Sequence, residues 1–108
     1  EIKRTRKVFL FLFEYFVYIL RSLKNGKLYI GTTDDLYGCF NRHNNGENIT
    51  TLDWRPFELI YYEASINYFD AKERERYLNS NAGQRFLKKR LYRFLNNNQP
   101  SRIQRILK

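Results

Sequence analysis

Phe16-Val17-Tyr18-Ile19-Leu20-Arg21-Ser22-Leu23-Lys24-Asn25-Gly26-Lys27-Leu28-Tyr29-Ile30-Gly31 is the stretch on which the reading of this chain turns. Tyr15–Leu23 is β-branched and aromatic, the composition of a strand. Asn25-Gly26 follows, and Leu28–Thr32 is a second apolar run. Asn-Gly between two such runs is the strongest short-range hairpin signal, because a two-residue type I′ turn holds both central residues at positive φ. The stretch therefore predicts a β-hairpin, with Tyr18 on one arm and Tyr29 on the other.

Downstream, Thr33-Asp34-Asp35 offers amino-terminal caps for a helix running to about Asn44. Leu36, Cys39 and Phe40 form its apolar face. Gly38 weakens this helix by roughly 1 kcal/mol relative to alanine, and Asn44-Asn45-Gly46 stops it. A polar loop leads through Trp54-Arg55-Pro56 into a third strand, Phe57–Ala64. Asn67 caps a second helix, about Tyr68–Ser80, with Asp70 in its first turn. Asn81-Ala82-Gly83 reads as a break. Gln84–Asn96 reads as a third helix, striped by Phe86, Leu87, Leu91, Phe94 and Leu95. Ile103–Leu107 predicts one further helical turn. Upstream, Val8–Phe13 reads as an extra strand or an extension of the first. The order ββαβαα holds too few elements for a doubly wound sheet. It predicts an α+β fold, a small three-stranded antiparallel or mixed sheet flanked by helices.

The 108 residues suffice for one compact domain. The predicted division is a basic and apolar extension over 1–14, a folded domain over 15–96 and a basic tail over 97–108. An aromatic fraction of 18% argues against a disordered chain. The single cysteine, Cys39, excludes an intrachain disulfide framework and suits a reducing, cytoplasmic setting. One Cys and one His, His43, cannot make a structural zinc site. Lys3, Arg4, Arg6 and Lys7 ahead of Val8–Phe13 imitate a signal peptide, but Glu14 interrupts the run and no small-residue cleavage site follows. The run is also far shorter than the roughly 20 residues of a membrane helix, so no integral membrane segment is expected. Surface association with a membrane through this terminus competes poorly with the strand role of Tyr15–Leu23.

The net charge of +9 is unevenly placed. Residues 84–108 carry +8 with no acid, residues 1–14 carry +2, and residues 15–83 carry −1. A basic end on a near-neutral body points to a polyanion, nucleic acid first and DNA above RNA. Arg85, Lys88, Lys89, Arg90 and Arg93 are the candidate phosphate contacts, sequence-independent and salt-sensitive. A normal surface mixes both signs, and this stretch does not.

Val17-Tyr18, with Phe16 in front, and Tyr29-Ile30-Gly31 resemble the two tripeptides for which the GIY-YIG nuclease family is named. Phe16 stands where the first tripeptide has glycine, and the second is intact. The resemblance continues in order through Arg55-Pro56-Phe57-Glu58-Leu59-Ile60-Tyr61-Tyr62-Glu63, then Asp70-Ala71 with Arg74-Glu75 and Leu78. It closes on Ser80, Gly83, Phe86-Leu87-Lys88 and Arg90-Leu91. It covers about residues 15–95 and looks most like the small stand-alone members.

The resemblance implies phosphodiester hydrolysis in nucleic acid with one divalent metal ion, Mg²⁺ or Mn²⁺. Glu75 would hold the metal, in keeping with a hard cation that takes one or two carboxylates and completes its shell with water and phosphate. Tyr18 and Tyr29 would position or deprotonate the attacking water, and His43 matches a histidine that many relatives carry. Taken alone, Glu75 sits in Lys72-Glu73-Arg74-Glu75-Arg76, an ordinary salt-paired helix face.

One cation is missing. The family places an arginine eight residues after the glycine of Tyr-Ile-Gly, and here that position is Cys39. Cysteine offers phosphate no cationic fork. By analogy with other phosphate-clamping arginines, the loss costs on the order of 10³-fold in rate. Arg42, three residues on, shares a helix face with Cys39 and is the candidate substitute. The expectation is a GIY-YIG endonuclease impaired at Cys39, with an inactive nucleic-acid-binding module of the same fold as the alternative.

Overall fold

The computed structural model describes residues 14–97. The expected strand at Val8–Phe13 and the helical turn at Ile103–Leu107 lie outside them. Strand β1 spans Tyr15–Ser22, β2 Leu28–Thr33 and β3 Phe57–Ser65. All pairings are antiparallel, in the order β2-β1-β3. Helix α1 spans Leu36–Asn44, α2 Tyr68–Asn79, α3 Asn81–Arg90 and α4 Tyr92–Asn96, and a 3₁₀ turn covers Leu52–Trp54. The fold is α+β, and its antiparallel pairing removes the mixed alternative.

The hairpin forms, but not with the two-residue turn. Ser22 N donates to Lys27 O at 2.9 Å, and Gly26 N donates to Ser22 O at 2.9 Å. The loop between these partners is Leu23–Gly26, and the left-handed residue is Gly26, at φ +76°. Buried Ser22 decides this. Its hydroxyl accepts from Lys24 N and Asn25 N, each at 3.1 Å, and donates to Trp54 O at 2.6 Å. The side chain holds the longer loop against the segment that leads into β3.

The caps fall where the side chains predict. Asp35 Oδ1 accepts from Gly38 N at 3.1 Å to start α1, and Gly46, at φ +80°, follows its end. Asn67 Oδ1 accepts from Phe69 N and Asp70 N to start α2. The expected break at Asn81-Ala82-Gly83 is instead the first turn of α3. Ser80 Oγ accepts from Gly83 N at 3.2 Å and caps it. Gly83 is needed for close approach: a Cβ there would lie 2.0 Å from Tyr77 O. The expected single helix Gln84–Asn96 thus begins at Asn81 and is divided at Leu91, whose φ −108° and ψ 20° leave helical geometry.

Strand alternation sorts the core into two layers. Val17, Ile19 and Ile30 point to one face, where Ala71 and Leu78 of α2 and Leu87 and Leu91 join them. Tyr18 and Leu20 point to the other, against Phe40 of α1 and Phe57 and Leu59 of β3. Ile19 pairs with Tyr61 and Leu20 with Leu59, leaving Ile60 as the extra residue of a bulge. The bulge turns Leu59 onto the α1 face while Tyr61 stays on the other.

Candidate active site

Tyr18 is paired with Gly31 across β1 and β2. Its ring lies over that glycine, so a Cβ on Gly31 would meet the hydroxyl at 2.6 Å and Cζ at 2.8 Å. The glycine of Tyr-Ile-Gly is therefore required by the tyrosine on the other arm. Tyr18 is 4% exposed and His43 2%. Tyr18 Oη lies 2.9 Å from His43 Nε2, and His43 Nδ1 lies 2.8 Å from Thr51 Oγ1. Thr51 is fully buried. The Tyr29 ring closes the group, with its centroid 5.1 Å from that of His43 and 6.2 Å from that of Tyr18.

The chain brings these side chains together by local means. His43 lies four residues after Cys39 on α1, so both face the sheet. Asn44, next in line, exchanges hydrogen bonds with the backbone of Phe57: Phe57 N donates to Oδ1 at 2.7 Å, and Nδ2 donates to Phe57 O at 3.2 Å. This ties the end of α1 to β3 and holds His43 at a fixed height over Tyr18.

Glu75 belongs to the opposite layer, near enough for its charge to act on the Tyr18 phenol. Ala71, Glu75 and Leu78 follow the i, i+4, i+7 stripe of α2, and Ala71 and Leu78 are buried. Glu73 is off this stripe and exposed. Thr32 Oγ1 donates to Glu75 Oε1 at 2.6 Å, which pins the carboxylate to the edge strand β2. Lys72 Nζ donates to the same oxygen at 3.2 Å.

Burial pushes the Tyr18 phenol far up from its ordinary value, helped by the hydrogen-bonding Cys39 thiol and by the charges of Cys39, Tyr29 and Glu75. Tyr18 is therefore protonated at neutral pH. Burial, and then the neighbouring Arg42 charge, lowers His43 below its usual 6.5. A neutral imidazole carries one N–H between two hydroxyl partners, so it can accept from one and donate to the other.

Other residues stand elsewhere. Arg42 pairs with Asp35 at 3.8 Å, both side chains more than half exposed. Arg74, from the same motif as Glu75, is structural. Its Nε and Nη2 donate to Glu63 at 2.9 and 3.0 Å, and its guanidinium lies over Tyr77 and Phe86. Arg85, Lys88, Lys89, Arg90 and Arg93 are exposed on α3 and α4. The buried Leu87 and Leu91 place these helices on the Val17 face, across the sheet from Tyr18 and His43.

Thr32, Thr51 and Lys72 belong to the site geometry, and sequence reasoning misses all three. Threonines on a strand edge and in a polar loop carry no signal by themselves, and Lys72 looks like any helix-surface lysine. Cys39, expected on the apolar face of the first helix and at the family's arginine position, packs in the fold against the cluster that holds Tyr18.

Among the described residues no cluster of three or more His, Cys, Asp or Glu gathers. The donor set is one carboxylate with a hydroxyl beside it. That fits a hard cation such as Mg²⁺, which keeps several waters and shares the substrate phosphate. It does not fit a zinc or calcium cage.

The GIY-YIG catalytic domain matches residues 14–90. A UPF0213 protein of Pediococcus pentosaceus is 39% identical over 62 residues, 56% of this chain and 64% of that protein. A UPF0213 protein of Staphylococcus epidermidis is 36% identical over 63 residues, 57% of this chain and 76% of that one. The chain thus spans less than two thirds of the Pediococcus protein. No solved structure gives a significant match. No helix among the described residues is long and apolar enough to cross a membrane. With the paired tyrosines, the histidine and the helix-borne glutamate in place and the domain match covering most of the chain, the protein belongs to the GIY-YIG family, in its small UPF0213 branch.

Proposed function

We propose that the chain is a metal-dependent endonuclease that hydrolyses phosphodiester bonds in nucleic acid, DNA foremost, and that cutting is slowed by Cys39. The observation that supports this reading is the Tyr18–His43–Thr51 hydrogen-bonded chain, with the Glu75 carboxylate near enough for its charge to act on the Tyr18 phenol. Glu75 is the metal ligand, held ready by Thr32. A bound Mg²⁺ or Mn²⁺ would polarise the phosphate and stabilise its developing charge.

The chain's own residues handle the proton. Tyr18, protonated at neutral pH, donates to His43 Nε2 when the imidazole proton sits on Nδ1 and points to Thr51. As water attacks, Tyr18 takes its proton and passes its own to His43, so the phenol never carries a full charge in its buried site. Tyr29 confines the water from the other side. Arg42 contributes charge at the rim, and Arg85, Lys88, Lys89, Arg90 and Arg93 hold the backbone of a nucleic acid that reaches round to the opposite face. The lone Cys39 suits action in a reducing cytoplasm.

The thiol packed against the Tyr18 cluster, in place of a cation, favours a second reading, a nucleic-acid-binding module that no longer cuts. Incubating duplex, single-stranded and branched DNA with purified protein, with and without Mg²⁺ or Mn²⁺, separates the two. Metal-dependent cleavage lost in Glu75→Gln supports the enzyme. Binding without cleavage, with cleavage restored by Cys39→Arg, supports the module. Cleavage that persists in Glu75→Gln removes Glu75 from the mechanism. Absence of both cleavage and binding at low salt, in wild type and in Cys39→Arg, refutes both readings.

A further inference from the structure

We propose that Lys72 is a displaceable counter-ion of Glu75: it leaves the carboxylate when a divalent cation binds there and carries its ammonium to the substrate phosphate, supplying the positive charge that position 39 lacks. This rests on the metal-site reading of Glu75.

Three observations meet at this lysine. Lys72 Nζ lies 3.2 Å from Glu75 Oε1, and among the described residues it is the only ion-pair partner of that carboxylate. Cys39 packs against the cluster that holds Tyr18, at the position where the family's arginine would be, so the site lacks its phosphate cation. Arg42, the other candidate, is engaged with Asp35 on the outer side of α1.

An i, i+3 pair on a helix is ordinarily a weak surface contact. This one differs because its acid is not free to swing. Thr32 Oγ1 holds the same oxygen at 2.6 Å from the edge strand, so Glu75 keeps its position when the lysine departs. An ammonium and a divalent cation repel at a shared carboxylate. The lysine has four flexible methylenes, and its side chain is 36% exposed, so it can move outward toward phosphate.

Mn²⁺ binding to the full chain, followed by the electron paramagnetic resonance signal of the free ion, tests this directly. Lys72→Met is expected to bind Mn²⁺ about 5-fold more tightly without nucleic acid, the size of a favourable exposed ion pair. At saturating Mn²⁺ it should cut at least ~10-fold more slowly, and adding Cys39→Arg should recover the rate. Unchanged or weaker Mn²⁺ binding in Lys72→Met overturns the proposal, as does cleavage at the wild-type rate. Glu75→Gln separates the two levels. If it abolishes Mn²⁺ binding while Lys72→Met has no effect, only the lysine's role falls. If Mn²⁺ still binds to Glu75→Gln, the metal-site reading falls and takes the proposal with it. Matching thermal melts show that the variants fold.

Discussion

Gly31→Ala is a perturbation of a single methyl whose effect is set by distances at the site. The added Cβ would lie 2.6 Å from Tyr18 Oη, 2.8 Å from Cζ and 3.1 Å from Cε1. Ordinary contact requires about 3.5 Å, so the phenol must retreat by nearly 1 Å. Its hydroxyl now stands 2.9 Å from His43 Nε2. A retreat of that size away from His43 stretches the bond to about 3.8 Å, past useful hydrogen-bond length. Tyr18 is buried against Phe40 and Leu20, which restricts any other escape. Overpacking of this kind costs about 1–3 kcal/mol, and a 1 Å misplacement of a reacting group costs on the order of 10²-fold in rate. The assay is cleavage of a fluorescently labelled DNA at saturating Mg²⁺, beside a urea unfolding curve. Tyr18→Ala, which removes the clashing ring, should erase the stability cost of Gly31→Ala in a double-mutant cycle. Wild-type cleavage and stability in Gly31→Ala would show that the ring does not depend on this glycine and would refute the reasoning.

Four further outcomes follow from the same geometry. Cys39→Arg should raise cleavage by on the order of 10³-fold, measured as single-turnover rate. Glu75→Gln should abolish cleavage and leave DNA retention in a filter assay nearly unchanged, because the proposed backbone contacts are the exposed bases of α3 and α4 and not this carboxylate. His43 has a folded-state pKa below its unfolded 6.5, so the unfolded chain binds its proton first as pH falls. The stability contributed by neutral His43 is thus fully present above about pH 6.5 and is lost as pH drops toward the folded pKa, by at most about 1.4 kcal/mol per pH unit; urea midpoints between pH 7.5 and 5.5 should show a slope that His43→Phe removes. Replacing Lys88, Lys89 and Arg93 together by alanine should weaken DNA binding for all sequences alike and lower the salt slope by up to about 0.9 for each phosphate no longer neutralised.

Much of this fold is legible in the sequence because its signals are local. Apolar runs mark the three strands, Asp35 and Asn67 mark two helix starts, and Gly46 marks a stop. The hairpin is legible as a pairing but not as a turn, because its loop is set by Ser22 bonding to Trp54, a residue far along the chain. The start of the third helix is hidden for a similar reason. Gly83 looks like a helix breaker, yet it is the one residue small enough to pass Tyr77 O.

The candidate site divides in the same way. By itself, the sequence determined the hairpin that pairs the two tyrosines and the acid-free basic end, since each is a matter of residue type and spacing, whereas the site positions of His43 and Glu75 and the vacancy at 39 are what the family resemblance implies. Only the tertiary structure decided that Tyr18 lies across Gly31, that Thr51 and Thr32 hold His43 and Glu75, that Lys72 rather than Arg42 stands at the carboxylate, and that the basic helices occupy the opposite face from Tyr18. Thr32 and Glu75 are 43 residues apart in sequence, and no local pattern can encode their meeting. It arises because Thr32, registered opposite Val17, points to the same face of the sheet as Val17, and α2 packs on that face.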